Sequence, residues 1–238
     1  MNQVVEEKNQ TNDDGGLGEI VEQEKHRHRN LLIVLVGIVA LFLGLSVFQI
    51  LRPKVFDRQG LQDIGTYIYS PAKILNPFTL QSTEGKPFDL AALKGKSTIL
   101  FFGYTSCPDI CPTTMALLTK VKAALIQEGR YQNTQIVLVS VDPDRDTIDK
   151  LKTYVGYFGE DFIGVTGELT ELYNFARQLN IAFNVNPPKD QEFYEVDHSG
   201  NIVYLNEQGH YLGFSRPPLN IDRIVTSFRS IHELTASQ

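Results

Sequence analysis

The chain has two cysteines, Cys107 and Cys111, within the run Thr105-Ser106-Cys107-Pro108-Asp109-Ile110-Cys111-Pro112. Two sulfurs at this spacing can form a disulfide, attack one, or hold a soft metal ion. The apolar segment 98–104 precedes the pair and reads as a buried strand; the segment from 113 onward reads as a helix. Both sulfurs therefore fall at a strand-to-helix turn, the usual site of ligand chemistry in α/β folds. Pro112 suits a helix's first turn, where its missing N–H would be unpaired anyway, so Cys111 is the expected cap and Cys107 a loop residue outside it. The positive end of the helix dipole there favours thiolate, which is both the nucleophile and the metal ligand.

Three uses compete on spacing alone. A structural disulfide would close a very short loop and add little through chain entropy. A thioredoxin-like redox pair is expected as Cys-x-x-Cys, one residue shorter than found here. A metal site needs a third ligand, for which histidine is the natural candidate. His26 and His28 lie in the N-terminal tail, and His210 reads as an exposed turn residue. His232 falls in the last turn of the terminal helix, where a cation meets the dipole favourably. His198 sits at the tip between two expected strands, a position that is usually just solvated.

The elements that must position these groups follow from pattern. A short hairpin is expected around Gly85-Lys86-Pro87, then the strand at 98–104 and a helix over 113–127. The segment 135–141 is a second continuous apolar strand of the kind buried on both faces. Asp146 or Thr147 can cap a helix over 147–158. A strand at 162–165, a helix at 168–180, a hairpin of strands 193–197 and 201–206, and a final helix to His232 complete the series. Strands alternating with helices give an α/β sheet covered on both faces.

The whole chain adds a membrane. Of its 238 residues, 31–51 carry no charge, with only Ser46 and Gln49 as polar interruptions. At about 1.5 Å per residue that stretch spans roughly 30 Å as a helix, the thickness of a bilayer core. It is longer than a signal-peptide core and Leu51-Arg52-Pro53-Lys54 offers no small-residue cleavage site, so it reads as a single transmembrane anchor. The expected organisation is a disordered cytoplasmic tail at 1–30, the anchor at 31–51 in the lipid bilayer, a juxtamembrane linker at 52–75 and a globular domain at 76–238. Basic residues flank the anchor on both sides, so orientation rests on the short tail staying inside while the long domain is exported. The tail is acidic, unlike a mitochondrial presequence. A bacterial-type inner membrane with the domain on its outer, periplasmic face is therefore expected. Two lone cysteines in that oxidising compartment need a reason to stay reduced or to cycle. The net charge of −6 leaves no basic footprint for nucleic acid.

The run from Phe102 to Thr114 closely resembles the signature of the Sco (SenC/PrrC) family. Ser140-Val141-Asp142-Pro143-Asp144-Arg145-Asp146-Thr147, Gly164-Val165-Thr166-Gly167 and Asp197-His198-Ser199 agree in the same order, and the likeness covers roughly 74–232. The resemblance implies a thioredoxin-like α/β fold behind a single transmembrane helix. It implies copper held by Cys107, Cys111 and His198, as Cu(I) through two thiolates and as Cu(II) with the imidazole added. It further implies a carrier that takes copper from an upstream donor and delivers it to the Cu(A)-bearing subunit of cytochrome c oxidase. By resemblance Asp142 lies near the copper, tuning the cysteines or contacting a partner; as plain sequence, Asp142 or Asp146 equally reads as a turn or helix cap. Zinc would also accept two thiolates, an imidazole and water. The competing activity is a thiol–disulfide oxidoreductase, with Cys107 and Cys111 as the redox pair, that keeps the oxidase subunit's cysteines reduced for metallation.

Overall fold

The computed structural model describes residues 14–51, 54–129, 131–185 and 194–236, in two compact units that divide after Pro53. The first unit contains one long helix, α1 (Asp14–Leu51), within which Lys25–Gln49 is long and apolar enough to cross a membrane. Of the expected disordered tail, residues 14–30 continue this helix and 1–13 lie outside the described residues.

The second unit begins earlier than the apolar pattern indicates. The stretch expected as a linker holds α2 (Arg58–Asp63), capped by the Asp57 side chain, and β1 (Thr66–Lys73). Then follow β2 (Leu80–Ser82), β3 (Pro87–Phe88), α3 (Leu90–Leu93), β4 (Ser97–Gly103), α4 (Ile110–Gln127) and β5 (Thr134–Ser140). The chain continues through α5 (Ile148–Phe158), β6 (Ile163–Thr166), α6 (Leu169–Gln178), β7 (Phe183–Asn184), β8 (Asp197–His198), β9 (Ile202–Leu205), β10 (Tyr211–Ser215) and α7 (Ile221–Ala236). Eight strands form one sheet in the order β1-β10-β9-β4-β5-β6-β2-β3. The β4–β5–β6 centre is parallel and the outer pairs are antiparallel.

Every residue of β4 and β5 is buried, as continuous apolar runs require when helices cover both faces. Phe102 points to one face, its ring 6.0 Å from Phe175 of α6. Phe101 and Gly103 share the other face with Cys111 of α4. On that face Tyr204 of β9 meets Phe228 of α7, and Leu151 and Val155 of α5 lie against Gly164 of β6. The expected β2–β3 hairpin is present, with Gly85 at φ +74° in its turn, where a side chain would be strained.

One expected hairpin is not formed. Asp197–His198 pairs with Phe183–Asn184 in a separate two-stranded sheet, while Ile202–Leu205 pairs with β10 and β4. The continuous apolar run 202–205 is buried in the main sheet, and the histidine-bearing segment pairs instead with the short strand that follows α6.

Candidate metal centre

The cysteine pair is set by the end of β4 and the start of α4. The helix begins at Ile110, so Cys111 is its second residue, Pro112 its third and Asp109 its N-cap. This corrects the expected capping role of Cys111: the proline sits two residues deeper, still among residues whose N–H groups have no helical partner. The Cys111 N–H donates to Cys107 Sγ at 3.4 Å, and the Cys107 N–H donates to the Tyr104 carbonyl at 3.4 Å. Cys111 is fully buried and Cys107 half-buried; both are free thiols.

Gly103 is what admits Cys111. A Cβ on Gly103 would lie 2.9 Å from Cys111 Sγ and 2.9 Å from the Phe101 ring. The sulfur therefore rests directly on the end of the strand. That burial pushes the Cys111 thiol well above its ordinary pKa, with Cys107 and Asp146 adding to the rise. Desolvation outweighs the helix dipole here, so the thiolate expected from the helix terminus is not favoured without a cation to balance it.

His198 comes to this pair from 87 residues away. Its Nε2 lies 3.6 Å from Cys111 Sγ. The donor atoms of Cys107, Cys111 and His198 all lie within 4.8 Å of one another. Donors about 2.0–2.3 Å from one ion and spread in a plane around it stand roughly 3.5–4 Å apart. Small side-chain rotations thus close these three on a metal. His198 Nδ1 lies 3.3 Å from the Ser199 carbonyl. A proton on Nδ1 satisfies that contact and leaves the Nε2 lone pair toward the sulfurs, the tautomer a metal ligand needs. Burial also lowers the His198 pKa, favouring neutral imidazole. Its ring meets Phe101 and Tyr104 edge-on, each at 5.9 Å. An open cleft of about 710 Å³, lined in part by Cys107, His198, Tyr104 and Ile110, gives access from solvent.

Within the second unit, His210 and His232 stand elsewhere. His210 belongs to the β9–β10 turn, its N–H bonded to Asn206 Oδ1 at 2.8 Å. His232 is not in the last turn: α7 runs on to Ala236, and the ring packs 4.4 Å from Phe228. Burial there holds its pKa down at about 4, so it is neutral rather than a dipole-stabilised cation.

Two carboxylates beside the site are fully buried. Asp142 accepts from Arg145 Nε and from the Tyr194 hydroxyl, the latter at 2.8 Å. Asp146 accepts from the Thr105 N–H at 3.0 Å, from the Thr105 hydroxyl, and from the Ser140 hydroxyl at 2.7 Å. The cap of α5 is Thr147, which accepts from the Lys150 N–H. Neither aspartate side chain is therefore a helix cap. Of these partners, Tyr194 carried no signal in the sequence, since a lone tyrosine 52 residues from Asp142 has no pattern to betray the pairing.

The SCO1/SenC family model matches residues 68–233. This chain belongs to the SCO1/SenC family. Its member from Stutzerimonas stutzeri, named for copper binding, is 38% identical over 167 residues, covering 70% of this chain and 81% of that one. The crystal structure of Arabidopsis thaliana ScoI with copper bound superposes with a TM-score of 0.60 at 31% identity, covering 66% of this chain and 98% of that one. The structure of BsSco, described as a Sco-family cytochrome c oxidase assembly protein with a disulfide switch, superposes with a TM-score of 0.52 at 26% identity, covering 68% and 95%. The mixed sheet and its flanking helices are the thioredoxin-like fold of the Sco family.

Proposed function

We propose that this protein is a membrane-anchored copper carrier of cytochrome c oxidase assembly. Cys107, Cys111 and His198 bind one copper, receive it from an upstream donor and pass it to the Cu(A)-bearing oxidase subunit. The observation that carries this reading is the convergence of two sulfurs and an Nε2 lone pair within 4.8 Å, with Cys107 and His198 lining an open cleft and Cys111 buried behind them. Thiolates are soft ligands that select Cu(I), and an added imidazole extends the set to Cu(II). A three-donor site reached through a cleft leaves the metal open to an incoming ligand, as exchange with a partner requires. Asp142 supports the site through the chain that carries His198. The anchor is the apolar part of α1, with the copper domain on the outer face of a bacterial-type inner membrane.

The second reading, thiol–disulfide exchange through Cys107 and Cys111, is favoured by the arrangement of one half-exposed sulfur over one buried sulfur. The exposed thiol would attack and the buried one resolve. The discriminating experiment is anaerobic titration of the reduced full chain, in neutral detergent, with Cu(I) against a calibrated chelator. One tight copper per chain, lost in a Cys107→Ser/Cys111→Ser double variant, is expected. Binding no tighter than in that variant would reject the carrier and leave the reductase.

A further inference from the structure

We propose that the connection between β5 and α5, residues 141–147, is a two-armed brace whose buried carboxylates separately position the imidazole and the thiols of the metal centre. The proposal takes its ligand set from the copper-carrier reading.

His198 needs such support. It lies on a strand of two residues paired with another of two residues, too short to fix a ligand by ladder hydrogen bonds alone. On its C-terminal side Ser199 holds the segment, with its N–H donating to the Ala182 carbonyl at 2.9 Å and its hydroxyl to the same oxygen at 3.1 Å. On its N-terminal side the Val196 N–H donates to the Tyr104 hydroxyl at 3.3 Å. Two residues further back Tyr194, packed against the core, is tied to the brace. Its hydroxyl donates to Asp142, its carbonyl accepts from Arg145 Nη2 at 3.0 Å, and its ring lies 3.5 Å beneath the Arg145 guanidinium. Arg145 is in turn fixed by its ion pair with Asp142. A planar guanidinium does all three jobs at once, which an ammonium does not.

The second arm reaches the other ligand-bearing segment. Asp146 takes both the N–H and the hydroxyl of Thr105, two residues before Cys107. Lys150 lies 3.6 Å from Asp146 and donates to the Ser106 hydroxyl at 3.1 Å, closing the same corner. One seven-residue loop therefore grips the chain before Cys107 with one carboxylate and the chain before His198 with the other. Removing one partner would leave a buried carboxylate uncompensated, which is costly, so each arm acts as a fixed strut. Groups that orient metal ligands from behind commonly change metal affinity by about 10–100-fold when removed.

The two arms make separable predictions. In full-length protein in neutral detergent, Tyr194→Phe keeps the ring under Arg145 but removes the bond to Asp142; Arg145→Lys keeps charge but loses the stack. Both should weaken Cu(II) by about tenfold and reduce the imidazole nitrogen coupling in its EPR spectrum, while Cu(I) affinity is nearly unchanged. In the metal-free protein the same variants should give exchange-averaged His198 ring resonances by nitrogen NMR. Thr105→Val should do the reverse, weakening Cu(I) and leaving the His198 resonances as in wild type. Adding Tyr194→Phe to His198→Ala should cost nothing further. Equal loss of Cu(I) and Cu(II) in Tyr194→Phe, or a loss that adds in full to His198→Ala, would overturn the brace and make these contacts general stabilisers. The NMR comparison needs no copper, so it decides the brace independently of the carrier reading.

Discussion

Cys111 sits where two physical effects oppose each other. A helix N-terminus lowers a thiol's pKa, and removal from water raises it. Gly103 permits the sulfur to settle onto the strand end, and burial wins. With the pKa raised, the Cys111 proton is still bound at neutral pH and must leave when a metal takes its place. Copper affinity should therefore rise with pH, Kd falling by about tenfold per unit for each proton released. His198, held neutral by its lowered pKa, releases no further proton on binding at neutral pH and so adds nothing to the slope. Chelator competition at pH 6, 7 and 8 measures the slope; an affinity independent of pH would show that Cys111 is already a thiolate or is no ligand. The pair itself was plain in the sequence, because two cysteines after a buried strand have few uses. The balance that sets their protonation was not, because it depends on how closely Cys111 approaches Gly103, which the run Phe101-Phe102-Gly103 does not express.

At the scale of elements, legibility followed burial. The central strands β4 and β5 are buried throughout and read directly as apolar runs, and α5 matched its expected boundaries because Thr147 caps it. What escaped was the edge. The sequence of β1, Thr-Tyr-Ile-Tyr-Ser-Pro-Ala-Lys, is only partly buried and includes a proline, a combination permitted in an outer strand and otherwise typical of a linker. The short β7 and β8 escaped because two-residue strands have no period, and with them the true neighbours of His198. Yet β1 is bound into the domain by a buried hydroxyl network. Thr66 Oγ1 lies 2.6 Å from Ser215 Oγ and 2.7 Å from Ser227 Oγ, and Ser215 Oγ lies 2.7 Å from the Tyr204 hydroxyl. Replacing Thr66 by Val leaves the remaining hydroxyls short of a partner, at a cost of about 1–2 kcal/mol. The expected fall in Tm is roughly 2–8 °C for a domain of this size. Deleting residues 54–75 should go further, uncovering the β10 edge and abolishing the cooperative transition seen by circular dichroism. An unchanged Tm in both variants would restore this stretch to the status of a linker.

The molecule as a whole joins a metal-binding domain to a helix with no protein interior of its own. Along α1, Leu32 is 64% exposed and Phe42 66%. A bare apolar surface of this length is matched by a bilayer core. Which way the helix points is less strongly encoded, since Lys25, Arg27 and Arg29 at one end face Arg52, Lys54 and Arg58 at the other. Export of the larger unit is the asymmetry that decides it in our reading, and the cysteines report it. Cys107 is half-exposed and Cys111 fully buried, so a membrane-impermeant maleimide should modify Cys107 first. In spheroplasts of a bacterial host, with a copper chelator present to free the thiols, labelling should be as complete before lysis as after. Cys107→Ser should remove most of it. Labelling that appears only after lysis would place the domain inside, where thiols are kept reduced without help.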